Sequence, residues 1–239
     1  MLEYALLFVA AYVAAAVSGA AGFGGALLLL PLLVASVGVA QAVPLLTIAQ
    51  LIGNLSRASF GFAQIRWKAV GLFLLGAAPA SLLGARSFVE LPKTWVMRAI
   101  GAAILAFVAL KFSGALRLKA GPLTLIVGGA ATGFVSGLVG SAGPLGAAVF
   151  LSLGLPPVAY VASEATTALA MHGLKTLVYQ HHITLDHRFW GLSALLGVAM
   201  VLGTWTAKRV IESVPTETFQ RFVALLLVAI AAYMVMHGS

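Results

Sequence analysis

The sequence predicts an all-α, polytopic membrane protein with two inverted repeats, and three observations lead to this fold class. Of the 239 residues, 62% are hydrophobic and 8% are charged, and the mean hydropathy is +1.07. Soluble domains carry about a quarter charged residues, so most of this surface must face lipid. Apolar runs of membrane-helix length recur along the chain, and its two halves repeat each other.

The first half contains five apolar runs. They cover residues 4–18, 24–38, 41–62, 69–88 and 95–112. A Gly-rich break separates the first two, and each is about 15 residues or 22 Å long, less than a hydrocarbon core of about 30 Å. We therefore expect two half-helices that form a hairpin inside the membrane, followed by three transmembrane helices.

The second half has the same order of runs. They cover residues 122–138, 144–154, 157–180, 189–207 and 218–237. The first two are again short and meet at glycines. The predicted organisation is a first repeat over 1–112, a charged cytoplasmic linker over 113–121 and a second repeat over 122–239.

Internal repetition supports this division. The nine residues from Val17 to Gly25 align with those from Val135 to Gly143 at an offset of 118 positions. At the same offset, Arg57 falls on Lys175. Paired basic residues are rare in so uncharged a chain, which favours a duplication.

The distribution of basic residues favours an inverted arrangement. If each Gly-rich pair is a hairpin, three full spans follow and the halves invert, with both termini outside. One side then carries Arg66, Lys68, Lys111, Arg117, Lys119, Lys208, Arg209 and Arg221, and the other side Arg86, Lys93, Arg98 and Arg188. Parallel halves would split these residues evenly, so only inversion gives a positive-inside bias.

Composition also excludes several classes of protein. Cysteine is absent, which excludes disulfides and thiol chemistry. The net charge of +8 comes from basic residues at the ends of apolar runs, so no nucleic-acid partner is expected. The first run lacks a basic leader, so we expect it to belong to the mature protein.

No enzyme or metal site is expected. Nucleophile-elbow, P-loop and HExxH motifs are absent from the sequence. His181, His182, Asp186 and His187 crowd one loop, which we interpret as a solvated loop and not as a metal or pH-sensing cluster.

The Gly-rich breaks are the first candidate site. Unwound backbone inside a membrane is tolerated where it lines a cavity, and the helices that follow the breaks would point free N–H groups at an anion. The alternative is that these glycines only allow close helix packing. The candidate residues are Gly22, Phe23, Gly24, Gly25, Gly140, Ser141, Ala142 and Gly143.

Polar stripes on two helices form the second part of the candidate site. One stripe comprises Thr47, Gln50, Asn54 and Arg57, and the other comprises Glu164, Ala168, His172 and Lys175. Charges at membrane depth are costly and usually face a cavity or a partner. The alternative for Arg57 and Lys175 is snorkelling to the headgroups.

Glu164 is the one acid that the sequence places inside the membrane. It could take up a proton, as could His172, or pair with Lys175 along the same helix. A salt-bridged structural acid is the equal alternative.

The chain resembles the sulfite exporter TauE/SafE family over nearly its whole length. The resemblance rests on Ser18-Gly19-x-x-Gly22-x-Gly24-Gly25 and on Ser136-Gly137-x-x-Gly140-x-x-Gly143, where Ser141-Ala142 replaces Phe23-Gly24. It implies secondary transport of sulfite, sulfoacetate or another sulfonate, with no bound cofactor.

Together these features predict a multi-pass transporter of the inner (plasma) membrane that exports a small sulfur-containing anion by alternating access. The Gly-rich backbone would hold the anion, Arg57 and Lys175 would supply charge, and Gln50, Asn54, Ser141 and His172 would line the pathway. An anion channel of the same fold and a membrane enzyme acting on lipid remain alternatives. The expected partners of the protein are the small anion and the lipid bilayer. The sequence leaves the oligomeric state open, and a homodimer is one of the states considered.

Overall fold

The computed structural model contains eight α-helices and no strand within the residues that it describes. These residues are 2–22, 25, 29, 32–33, 36–37, 39–86, 102, 105, 121–139, 143–179 and 187–237. The helices are α1 (Leu2–Ala21), α2 (Val39–Phe60), α3 (Trp67–Arg86), α4 (Pro122–Val139), α5 (Gly143–Leu151), α6 (Pro157–Tyr179), α7 (His187–Ile211) and α8 (Thr216–His237). A short 3₁₀ turn, Phe62–Gln64, follows α2.

Helix lengths agree in part with a membrane protein built from full and partial spans. Three stretches among the described residues are long and apolar enough to cross a bilayer: Glu3–Ala21, Trp67–Gly84 and Phe189–Ile211. The nine residues of α5 cover only about 13 Å and form a half-helix, as the sequence predicts. The predicted runs 24–38 and 95–112 lie largely outside the described residues.

The expected half-helix at 4–18 is wrong, because α1 has 20 residues and continues to Ala21. The sequence predicts a break that begins at Gly19, yet Gly19 is helical. A Cβ on Gly19 would lie 2.7 Å from the Cβ of Ala207, so this glycine serves close packing against α7. The helix continues past Gly19, and the chain leaves it at Gly22.

The chain divides into two compact units that each draw on both halves of the sequence. Unit 1 comprises residues 1–65 and 161–213, and unit 2 comprises residues 66–160 and 214–239. The two predicted repeats are a relation within the sequence, and their boundaries and inversion stay predictions.

Unit 1 is organised around the packing of α7 against α1 and α2. Apolar side chains of α1, of α2 and of α7 form its core, among them Leu7, Leu45 and Leu196. Glycines bring the backbones together: a Cβ on Gly203 of α7 would overlap the carbonyl oxygen of Tyr12 on α1. The Tyr12 hydroxyl also shares a 3.0 Å hydrogen bond with the Thr206 hydroxyl.

Unit 2 is organised around α3 and α4, which pack backbone to backbone. A Cβ on Gly84 would overlap the carbonyl oxygen of Phe134, and one on Gly133 would overlap that of Ala77. Beside them, Phe73 of α3 contacts Phe150 of α5 with ring centroids 5.3 Å apart.

Candidate anion site at the first glycine-rich break

The site begins where α1 ends at Gly22. Gly22 has φ +84°, and its N–H donates to the carbonyl oxygen of Ser18 at 2.7 Å. This is the left-handed C-terminal cap that glycine adopts without a Cβ penalty. The turn leaves main-chain carbonyls at the negative end of the α1 dipole.

Arg57 of α2 reaches those carbonyls. Its Nη1 donates to the carbonyl oxygens of Ser18, at 3.1 Å, and of Gly22, at 2.6 Å. Its Nη2 donates to Oδ1 of Asn54, one turn earlier on the same helix. Arg57 is 5% exposed. The guanidinium therefore turns inward and caps α1, which speaks against the snorkelling alternative.

Glu164 of α6 faces the same guanidinium. Its Oε2 lies 3.6 Å from Nη1 of Arg57, an ion pair too long for a hydrogen bond, and Glu164 is 3% exposed. Burial of two charges is tolerated when they are paired, because each compensates the other. The salt-bridged alternative for Glu164 therefore fits, with Arg57 as its partner.

The sequence alone does not predict this pair, because Arg57 and Glu164 belong to separate stripes. The side chain of Lys175, the partner that the sequence suggests for Glu164, lies outside the described residues. A signal was present: a buried acid and a buried base in a chain with six acidic residues need each other.

Two amide groups in the site have donors without acceptors. The side chains of Gln50 and Asn54 stand one turn apart on α2, at 5% and 1% exposure. Among the residues that the structure describes, neither Nε2 of Gln50 nor Nδ2 of Asn54 has a hydrogen-bond partner. A buried, unpaired donor costs about 1–3 kcal/mol, so such groups call for an explanation.

Gly25 lies against these donors. A Cβ at position 25 would lie 3.3 Å from Nε2 of Gln50 and 3.2 Å from the Cβ of Ser18. Both distances are tighter than ordinary contacts, so a larger residue would push into the amide. Gly25 therefore keeps bare backbone next to the orphaned donor of Gln50.

The glycines of the first break thus divide into two kinds. Gly19 packs helices, as the alternative interpretation has it, whereas Gly22 makes the turn and Gly25 admits the close approach of Gln50. Phe23 and Gly24 lie outside the described residues.

The second half of the predicted site is less completely described. Gly143 opens α5 and is half-buried, while Gly140, Ser141 and Ala142 lie outside the described residues. On α6, His172 is half-buried and has an interaction partner of its own. The convergence of the two breaks on one site stays a prediction.

Metal-binding groups do not cluster in the part of the chain that the structure describes: no three His, Cys, Asp or Glu side chains come together there. His181, His182 and Asp186 lie outside that part. At the Gly22 break, the described side chains instead offer amide nitrogen donors and the Arg57 guanidinium, which suit the oxygen atoms of an anion.

Comparison with known proteins supports the resemblance seen in the sequence. The sequence model of the family described as "Sulfite exporter TauE/SafE" matches residues 7–234 of the 239. No curated protein and no solved structure matches the chain significantly. A match over nearly the entire chain, together with the long apolar helices, identifies a membrane transport protein. The chain belongs to the sulfite exporter TauE/SafE family.

Proposed function

We propose that this protein is a secondary transporter of a small sulfur-containing anion, such as sulfite or a sulfonate, and that the anion binds at the Gly22 break. The observation that carries the proposal is the pair of buried, unpartnered amide donors on Gln50 and Asn54 beside Arg57. Membership of the sulfite exporter family supports a sulfur-containing anion as the substrate, and the turn at Gly22 supports the position of its binding site.

The electrostatics of the site favour an anion bound mainly by hydrogen bonds. The charge of Arg57 is shared with the Ser18 and Gly22 carbonyls and with Glu164. The oxygens of sulfite or a sulfonate would accept from the Gln50 and Asn54 amides while remaining close to the guanidinium. Charge-assisted hydrogen bonds of this kind are roughly twice as strong as neutral ones.

Transport would follow from alternating access to this site. In inverted-repeat transporters, one group of helices moves against another around a site near the midplane. Placement in the inner (plasma) membrane with many spans, export as the direction, and participation of Gly140, Ser141, Ala142, Gly143, His172 and Lys175 are parts of the same proposal.

A thermal-shift experiment tests binding at this site. Purified protein is melted with sulfite, sulfate, thiosulfate, sulfoacetate, taurine or chloride, beside a Gln50→Leu variant. A ligand at 100 times its dissociation constant stabilises the folded state by about 2.7 kcal/mol. We expect a sulfur oxyanion or sulfonate to raise the melting temperature of the wild type and not that of Gln50→Leu.

The variant separates binding from folding. Without anion, Gln50→Leu should melt at or above the wild-type temperature, because it removes an unpaired buried donor. Gln64→Leu makes the same change at an exposed glutamine and should keep the full anion response. An equal shift in both variants would place the anion elsewhere, and no shift with any anion would overturn the proposal.

A further inference from the structure

The carboxylate of Glu164 is only partly satisfied where it lies. Its Oε2 faces Nη1 of Arg57 at 3.6 Å but has no hydrogen-bond partner within the described part of the chain. Its backbone carbonyl accepts from the Thr167 hydroxyl at 2.7 Å, which fixes the helix and not the carboxylate. Oε2 of Glu164 is therefore attracted to Arg57 by charge and not by a hydrogen bond. The carboxylate can move away from the guanidinium without breaking a hydrogen bond at Oε2.

An anion at the proposed site would compete with this carboxylate. Nδ2 of Asn54 is one of the orphaned donors, and Oδ1 of the same amide accepts a hydrogen bond from Nη2 of Arg57. An anion held there therefore approaches the guanidinium that Glu164 faces. Two anionic groups at one buried cation repel each other, and the usual resolution is protonation of one of them. The sulfonate of the bound anion is too strong an acid to take the proton, whereas a buried carboxylate that faces a like charge can take it.

Resting on the proposed function, we propose that Glu164 is an internal counter-anion that takes up one proton each time a substrate anion binds. In the empty site the carboxylate compensates Arg57. When the anion arrives, a proton from water forms an O–H bond on Glu164, and the anion replaces it as the negative charge beside Arg57. On release the O–H bond breaks, the proton returns to water and the carboxylate pairs with Arg57 again.

Among the described titratable groups of unit 1, Glu164 is the one suited to take up this proton. The described charged group that faces it is Arg57 of α2. Other titratable groups on the helices of unit 1 are placed differently. His172 stands eight residues after Glu164 on α6, and the Tyr12 hydroxyl of α1 is hydrogen-bonded to the Thr206 hydroxyl. On α7, Lys208 pairs with Glu212 at 3.5 Å near the end of the helix.

The repeat gives independent support. At the offset of 118 positions, Arg57 has Lys175 as its counterpart, but Glu164 corresponds to Leu46. An acid required by the repeated architecture itself would be expected in both halves. An acid that couples one proton to one anion is needed once.

Proton counting on the purified protein tests the proposal. Sulfoacetate is the probe, because its two acid groups stay ionised above about pH 6. It is added to weakly buffered wild-type protein with a pH-indicator dye. We expect uptake of one proton per bound anion, and an affinity that falls by up to tenfold per unit rise in pH, as one linked proton requires.

Two glutamine variants assign the proton. Glu164→Gln should bind sulfoacetate without proton uptake and without pH dependence, since its amide resembles the protonated acid. Glu212→Gln, a change at an exposed acid, should keep the wild-type proton count. Undiminished uptake in Glu164→Gln would overturn the assignment.

The wild type alone distinguishes this inference from the function on which it rests. Binding of sulfoacetate with no proton uptake and no pH dependence overturns the role of Glu164 and leaves the anion site standing. Failure to bind at any pH overturns the anion site, and the role of Glu164 with it. If Glu164→Gln does not fold, a wild-type count of no proton per bound anion still overturns the role of Glu164.

Discussion

Arg57 bears a full positive charge in a place that water hardly reaches, and oxygen atoms from three segments surround it. The carbonyls of Ser18 and Gly22 come from the end of α1, Oδ1 of Asn54 from α2 itself, and the carboxylate of Glu164 from α6. The planar guanidinium suits this task because it directs several donors at once. Arg57 therefore fixes the break as well as contributing charge.

Substitution of Arg57 should reveal both contributions. Arg57→Ala leaves the Glu164 carboxylate buried and unpaired, so the free energy of unfolding should fall by about 3–5 kcal/mol. Arg57→Lys keeps the charge but loses at least one of the hydrogen bonds, with an expected loss of about 1.5–3 kcal/mol. Both are measured by denaturation in detergent.

Lys68→Ala is the control for these substitutions, because Lys68 is an exposed cation and its removal should change stability by less than about 0.5 kcal/mol. If Arg57→Ala were as stable as Lys68→Ala, the capping and pairing roles of Arg57 would be wrong.

At this scale the sequence predicted the donors better than their partners. Gln50, Asn54 and Arg57 follow one another at intervals of three or four residues, so the sequence alone predicts that they share one face of a helix. All three are buried in the structure. The contact between Arg57 and Glu164 depends on how α2 and α6 pack, which periodicity within either helix does not specify. The pairing required the structure.

At the scale of helices, glycine performs different tasks that look identical in the sequence. Gly19 is helical and packs against α7, whereas Gly22, three residues later, stops the helix with a positive φ. A glycine within a helix costs about 1 kcal/mol relative to alanine, and close packing in a membrane can offset that cost. This is why the sequence placed the end of α1 three residues early.

The end of α1 can be tested with a matched pair of glycines. Gly22→Ala and Gly154→Ala both place a side chain at positive φ, at +84° and +62°. Each should destabilise the fold by about 1–2 kcal/mol in thermal melts, because a Cβ in the left-handed region meets the backbone.

Only Gly22→Ala should also weaken anion binding, since Gly22 forms the break at which the anion is proposed to bind, whereas Gly154 follows α5 and is not among the proposed site residues. Titration of both variants with sulfoacetate decides the point. Equal loss of affinity in the two variants would mean that strain, and not the position of Gly22, governs binding.

At the scale of the whole molecule, the closest helix pairs cross between the halves of the sequence. In unit 1, α1 of the first half packs on α7 of the second, and in unit 2, α4 of the second half packs on α3 of the first. At the repeat offset of 118, the range of α1 corresponds to that of α4, and the range of α3 to the start of α7. The two pairings are therefore equivalent.

The repeat was visible in the sequence, but this exchange was not. An offset between similar segments identifies which helices correspond, and says nothing about which of them touch. The packing glycines carry that information only once both partners are known, as with Gly84 against Phe134 and Gly203 against Tyr12.

Entrance counterflow in proteoliposomes tests the central claim most directly. Vesicles loaded with unlabelled sulfoacetate receive a trace of labelled sulfoacetate outside, for the wild type, Gln50→Leu, Gln64→Leu and protein-free vesicles. A secondary transporter with its site at the Gly22 break predicts transient accumulation of label that saturates with concentration in the wild type and in Gln64→Leu, and is lost in Gln50→Leu. Flux without saturation or accumulation would indicate a channel, and wild-type flux equal to that of protein-free vesicles would contradict the account.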